Sequence, residues 1–317
     1  MVGTVGCGAR QQCHDVGARR MGDPSFIIEG KISVKKPPKQ TLPLVVSSPH
    51  SGRNYPQKFV AASDLTSLRL RSSEDSFVDE IFNSAPTLGA PFIKALFPRA
   101  FLDVNRQPFE LDPSMFSDIL PDFVTTQNSR ISAGLGTIAR VVSNGEKIYR
   151  DKLTFIEAET RINDFYWPYH QTLKTLIDET KNKFGYCILL DCHSMPSGTT
   201  KYKNSYRSST GRLGDIVLGD CYGTSCHRDI INSAIDILSG YGFSIRRNIP
   251  YAGGFITRNY GKPREAVHAI QIELNRALYM DEKLIERLDN IEPLTEALTN
   301  FKNFLGNLLA PNNLAAE

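Results

Sequence analysis

Three segments lying far apart in the chain carry side chains able to hold a cation and activate a water molecule. LPLVVSS (42–48) runs into Pro49-His50-Ser51-Gly52, YCILLD (186–191) runs into Cys192-His193-Ser194, and AVHAIQIEL (266–274) carries Glu273 near its end. Two imidazoles and an acidic group suit a divalent ion such as zinc that keeps an open position for water. Cobalt, manganese and iron accept the same ligands. A lone histidine in a Pro-His-Ser-Gly turn is ordinarily a hydrogen-bonded loop residue. It is the recurrence of histidine at two equivalent strand exits that points to an ion. His14, His170, His227 and His268 lack that setting and read as a tail residue, two helix positions and a strand position.

A third ligand is available in EDSFVDEIFNS (74–84), where Glu74, Asp75 and Asp79 crowd the start of a predicted helix. Asp75 and Asp79 share a helix face at i,i+4 spacing. Acidic residues there also simply favour the helix dipole, so spacing leaves the choice open.

These residues need a scaffold that ends several strands at one edge. Short apolar runs alternate with helical patterns from about residue 42, as expected of a mainly parallel sheet covered by helices. The strands are read at 42–48, 92–96, 100–104, 186–191, 243–248 and 266–274. YCILLD is the clearest, an uninterrupted apolar run of the kind buried on both faces. Helices are expected over 74–84, over 152–183 with Pro168 in a first turn, over 227–239 closing at Gly240, and over 282–308. PYAGGFITRNYG (250–261) reads as a glycine-rich loop, and 105–130, with Pro108, Pro113 and Pro121, as a lid. In open α/β sheets ligands gather at the carboxyl ends of the strands, where His50, His193 and Glu273 all fall.

Composition bounds the remaining possibilities. The 317 residues are 41% hydrophobic and 22% charged, with a net charge of +3, which describes an ordinary globular protein. Lys and Arg are scattered rather than striped, which argues against nucleic acid as a partner. No run is long enough to cross a membrane. Cysteines at 7, 13, 187, 192, 221 and 226 form no CxxC pair and read as buried thiols of a reducing, cytoplasmic compartment. Residues 1–24 lack the apolar core of a secretory signal and are expected to be a disordered extension, with Met21 an alternative start. One domain over 25–310 and a polar tail over 311–317 complete the expected organisation; oligomeric state is left open.

Taken together, SSPHSGRNYP, SEDSFVDEIF, FPRAFLDVNR, LLDCHSMPS, GGFITRNYG and IQIELNRALYMDE resemble the N-formylglutamate amidohydrolase family, relatives of the zinc carboxypeptidase-like hydrolases. The resemblance runs from about residue 42 to 282. It implies a single α/β domain with a mixed, mainly parallel sheet flanked by helices, zinc-carboxypeptidase-like (phosphorylase/hydrolase-like) in fold. It also implies a small anionic N-acyl amino acid as substrate: N-formyl-L-glutamate and water giving formate and L-glutamate, in histidine degradation. Carried across position by position, it makes His50, Asp75 and His193 the metal ligands and Glu273 the general base. Asn105-Arg106 resembles the pair that grips a substrate carboxylate in carboxypeptidase-like enzymes, and a guanidinium fork matches a carboxylate in two bonds. Arg99 would polarise the carbonyl or hold a second carboxylate, Thr257 and Arg258 would complete the pocket, and Asp103 and Asp191 would orient the histidines. One departure stands out: the wider carboxypeptidase pattern expects Glu three residues after the first histidine, and this chain has Arg53.

The expected chemistry is attack by a metal-activated water, its pKa lowered toward ~7, with Glu273 relaying the proton to the leaving amine. Ser51 and Ser194 adjoin the histidines, yet no GxSxG elbow accompanies them. Two other readings are a carboxypeptidase-like deacylase of another N-acyl amino acid or short peptide, and a non-catalytic binding protein that kept the pocket.

Overall fold

The computed structural model describes residues 25–197 and 214–308. Eight strands form one mixed sheet in the order β1-β2-β4-β3-β5-β8-β6-β7. They are β1 (Phe26–Ile28), β2 (Ile32–Lys35), β3 (Leu44–Ser48), β4 (Phe92–Ala95), β5 (Cys187–Met195), β6 (Ile216–Gly219), β7 (Ile245–Arg247) and β8 (Val267–Asn275). The central four, β4, β3, β5 and β8, run parallel. β2 joins β4 and β6 joins β8 antiparallel. The carboxyl ends of β3, β5 and β8 therefore open on the same edge.

Every residue of β5 and β8 is buried, which explains why YCILLD reads as an unbroken apolar run. Side chains nevertheless alternate between the two faces. Ile188 and Leu190 of β5 and Ile270 and Ile272 of β8 join the core beneath the Arg228–Gly240 and Ile291–Asn307 helices. Cys187, Leu189, Val267 and Ala269 join the opposite core, with Leu173 and Leu176 of the Trp167–Phe184 helix. Each of the leucine, isoleucine and valine side chains contributes about 1.5–3 kcal/mol on burial. Along that second face the row changes character: Leu189 is followed by Asp191 and His193, and Ala269 by Gln271 and Glu273. The apolar half anchors the strand, and the polar half lies beyond it at the carboxyl edge.

Several expected elements differ in the structure. The 74–84 helix shrinks to Val78–Ile81, because Phe77 takes a left-handed φ of 66° and the Asp75 backbone N–H donates to the His50 carbonyl (3.1 Å). The chain at 100–104 turns instead of running as a strand, and Asp103 is held by its N–H to the Thr137 carbonyl. Within 250–261 a helix forms over Phe255–Tyr260, its Ile256 N–H accepted by Asn105 Oδ1 (2.8 Å) from a distant segment. The last helix begins only at Ile291, after a small hairpin of Met280–Asp281 with Glu286–Arg287. Over 152–183 a capping box at Thr154 starts Phe155–Arg161, and a π-helical turn (Ile162–Tyr166) leads into Trp167–Phe184. That widened turn accommodates Pro168, whose missing N–H and bulky ring disrupt α-helical bonding. Strands β1, β2 and β6 are additions that pattern reading did not supply. Residues 1–24 and 311–317 lie outside the described residues, and no helix among those described is long and apolar enough to cross a membrane. Cys187, Cys192, Cys221 and Cys226 are buried free thiols.

Gly52 controls the approach of the His50 turn to the sheet, since a Cβ there would stand 2.1 Å from the Phe97 carbonyl oxygen. The obstacle is backbone and cannot rotate away. Gly52→Ala is expected to cost about 1–3 kcal/mol, a fall in Tm of roughly 2–10 °C in a thermal melt; an unchanged melt would show that the turn is free to move.

Lys302 on the Ile291–Asn307 helix is wholly buried, donating to Ser84 Oγ (2.7 Å) with its Nζ 5.1 Å from the centre of the Phe82 ring. Burial pushes its pKa from 10.5 down to about 8. Between those values the unfolded chain holds a proton that the folded chain has released, so this residue's contribution to stability rises with pH across that window. Denaturant titrations of the wild type and Lys302→Met should accordingly show the wild type gaining on the variant from about pH 8 to 10.5. A difference independent of pH would contradict that assignment.

Candidate functional site

The register of the central strands sets the site. Ser47 of β3 lies opposite Asp191 of β5, which lies opposite Gln271 of β8; one step further, His193 lies opposite Glu273. His50 arrives from the turn after β3. The two imidazoles meet edge to face, with centroids 4.8 Å apart.

Each imidazole reaches the meeting point through Nδ1. His50 Nε2 donates to Asp103 Oδ1 (2.7 Å), and His193 Nε2 lies 3.0 Å from Asp191 Oδ2 in an off-axis contact. Asp103 behind His50 favours the proton on that ring's rear nitrogen and leaves its front lone pair for an ion, while His193 Nε2 faces Asn105 Nδ2 (3.2 Å) as well as Asp191. The front atoms converge: Nδ1 to Nδ1 is 3.1 Å, and Asp75 Oδ2 is 3.1 Å from His193 Nδ1 and 3.4 Å from His50 Nδ1. Metal bonds of ~2.0–2.1 Å at tetrahedral angles give ligand separations of about 3.3 Å. His50, Asp75 and His193, all buried, therefore have the donor chemistry and the spacing to hold a four-coordinate ion with one position open.

Of the three acidic candidates near residue 75, only Asp75 faces the histidines. Its second oxygen, Oδ1, accepts from Ser194 Oγ (3.0 Å) and Arg276 Nη2 (3.3 Å). Glu74 turns away to accept from Tyr55, Arg71 and Ser76. Asp79 pairs with Arg53 and Lys94, so the arginine that departs from the carboxypeptidase pattern serves an ion pair outside the site. Ser51 is occupied with the Asp75 carbonyl and Ser48, and neither it nor Ser194 is bonded to an imidazole.

The electrostatics favour positive charge at this point. Burial alone would lower the His193 pKa, but the Asp191 charge 3.0 Å away and the bond to Asp75 hold it well above the ordinary value. Burial alone would raise the Asp75 carboxyl, yet its bonds to His193 and His50 keep it well below the usual range. Asp103 is likewise held low against burial by His50, Arg106 and Arg99. Glu273 goes the other way: burial foremost, with the Asp75 and Asp191 charges, pushes it to about 8 despite His193 and Arg99. Its Oε1 accepts from Gln271 Nε2 (2.7 Å) two residues back on the same strand face.

A cavity of about 460 Å³ opens over these groups, and His50, Asp75, His193 and Glu273 line it. Arg99 borders it with Nη2 tied to Asp103 Oδ2 (2.8 Å). Arg106 also borders it, its Nε donating to the Leu135 carbonyl (2.9 Å) and Nη1 to the Asn105 carbonyl (3.0 Å). Asn105 is buried with its Nδ2 3.2 Å from His193 Nε2. Gly254 passes over it so closely that a Cβ would stand 2.2 Å from Asn105 Nδ2, which locks the glycine loop onto this amide.

Two expected pocket residues are not on its wall. Thr257 is fully buried, its Oγ1 3.5 Å from Gln271 Oε1, and Arg258 turns Nη1 to the Gly253 carbonyl (3.1 Å). The glycine loop meets the cavity through Pro250, Tyr251 and Gly253 instead, because residues 255–260 coil into a helix that faces Thr257 inward. Arg276, Arg130 and Gln271 line the cavity and were missed. Gln271 was findable, since a period of two sets it beside Glu273. Arg276, three residues beyond Glu273, was within reach of the same strand-exit reasoning. Arg130 had no local signal, because the long 105–153 excursion brings it back.

Comparison with known proteins agrees with this geometry in sequence and shape. A family model described as N-formylglutamate amidohydrolase matches residues 42–280. The chain is 30% identical over 246 residues to a protein named N-formylglutamate deformylase from Pseudomonas aeruginosa, covering 76% of this chain and 84% of that one. A second protein of that name, from Pseudomonas putida, is 28% identical over 244 residues, covering 76% and 83%. The crystal structure of an N-formylglutamate amidohydrolase from Ralstonia eutropha JMP134 superposes with a TM-score of 0.83 at 32% identity, covering 89% of this chain and 99% of that one. With its match spanning every segment that builds the site, from the His50 turn to the end of β8, this chain belongs to the N-formylglutamate amidohydrolase family.

Proposed function

We propose that the protein is a metal-dependent deformylase that hydrolyses N-formyl-L-glutamate to formate and L-glutamate. The observation that carries this reading is the convergence of His50 Nδ1, His193 Nδ1 and Asp75 Oδ2 beside a buried Glu273 at the floor of an arginine-lined cavity. The names of the Pseudomonas and Ralstonia relatives supply the substrate. An ion held by those three residues, zinc first by ligand type, supplies Lewis acidity to the formyl carbonyl and to water.

This chain's own groups do the rest. Glu273 takes one proton from the attacking water as oxygen bonds to the formyl carbon, and returns it to the nitrogen as the C–N bond breaks. Its place on the cavity wall beside His193 puts the carboxylate within the same small space as the water it would deprotonate. Gln271 holds Glu273 Oε1 and so fixes which oxygen faces the water. Arg99, tethered by Asp103, offers its remaining N–H groups to the carbonyl oxygen, where negative charge grows as the bond forms. Arg106 receives the α-carboxylate, its fork oriented beforehand by the Leu135 and Asn105 carbonyls.

Metal analysis with a formate-release assay tests cofactor and reaction together. Close to one equivalent of divalent ion, loss of turnover on chelation and recovery on adding zinc, cobalt or manganese are expected. Full activity in a metal-free, chelator-treated protein would rule the reading out. Glu273→Gln should lower kcat by about 10²–10⁴-fold while the ion stays bound. A rate near that of the wild type would remove Glu273 from its role.

A further inference from the structure

Among the described residues four arginines border the cavity, and three are anchored by bonds to the protein. Arg99 is bonded to Asp103, Arg106 to two backbone carbonyls, and Arg276 to Ser194, the Glu74 carbonyl and Asp75. Arg130 differs. Its backbone is fixed, because Asn128 Oδ1 caps the Ser129–Ser132 turn by accepting the N–H groups of Arg130 (2.9 Å) and Ile131 (2.8 Å). Its guanidinium has neither a hydrogen-bond nor an ion-pair partner among the described residues, although it reaches the cavity wall and is only partly exposed.

The surroundings make that vacancy costly. Burial works against the charge first, and the positive charges of Arg258 and Arg99 add to it. The carboxylates within its field are Asp103, already shared by His50 and Arg99, and Glu110; neither is within ion-pair distance of Arg130. A partly desolvated cation among like charges is stabilised when an anion reaches it, and a guanidinium fork fits a carboxylate. The proposed substrate carries two carboxylates, of which Arg106 accounts for one.

We propose that Arg130 binds the side-chain carboxylate of the substrate and thereby sets the preference for an acidic over a neutral N-formyl amino acid. The proposal rests on the deformylase reading for the reaction, but its chemistry extends to any ligand with a glutamate-like side chain. Because residue 130 lies within the long 105–153 excursion, substrate choice would be set by a segment separate from the strands that carry the reaction.

N-formyl-L-glutamine, which keeps the α-carboxylate of N-formyl-L-glutamate and replaces the side-chain carboxylate by an isosteric neutral amide, isolates the side-chain charge. The metal-loaded full chain and its Arg130→Met and Arg130→Lys variants are to be assayed for formate release from both compounds. In Arg130→Met, kcat/KM for N-formylglutamate should fall about 10- to 100-fold, largely through KM, while that for N-formylglutamine changes by less than about threefold. Arg130→Lys, which keeps the charge and loses the fork, should fall between. Equal losses on both substrates, or an unchanged glutamate-to-glutamine ratio, would overturn the assignment. Absence of formate release from either compound by the wild type would defeat the reaction reading instead. Titration calorimetry with L-glutamate and L-glutamine then still decides for Arg130: the variant must lose the preference for glutamate, and a preference equal to that of the wild type would reject it.

Discussion

The contact on which the site depends is one that proteins do not make without compensation. Two imidazole nitrogens face each other at 3.1 Å, with a carboxylate oxygen 3.1–3.4 Å from both. A nitrogen from each ring and a carboxylate oxygen share one small volume, and positive charge there, whether a proton or an ion, makes that arrangement favourable. Everything nearby enforces the convergence. Asp103 and Asp191 hold the rings from behind, and Ser194 and Arg276 hold the second oxygen of Asp75. The rigidity is that of a sheet whose parallel register puts His193 directly beside Glu273.

That arrangement shapes the surrounding chain. Asp75 can face the histidines only because the expected helix is cut short by the left-handed Phe77, and because its backbone is tied to His50. Asp103 can support His50 only because the segment after Pro98 turns back instead of extending. A helical or extended conformation at either place would satisfy local pattern and lose the site. Local preference yields there to buried electrostatics, as expected where function is concentrated.

The cavity divides into a floor and a wall of different origin. The floor is built on strand ends, whose positions are fixed by core packing on both faces of the sheet. The wall comes from long connections, among them the 105–153 excursion and the glycine loop clamped over Asn105. Such a division lets the reacting groups stay fixed while the groups that face the rest of a ligand belong to segments freer to vary.

The sequence determined the strands that matter and what stands at their ends, because period-two burial and unbroken apolar runs such as YCILLD are local signals. It thereby reached His50, His193 and Glu273, and named Asp75, Asp103 and Asp191 as neighbours on resemblance. Spacing alone left Glu74, Asp75 and Asp79 as candidates and resemblance favoured Asp75; the reason that Asp75 faces inward is tertiary, the left-handed turn at Phe77 that cuts the helix short. Tertiary structure also excluded Thr257 and Arg258 from the cavity wall and brought in Arg130 and Arg276. Those outcomes depend on where long connections return across the sheet edge, and no periodicity within a connection records its destination.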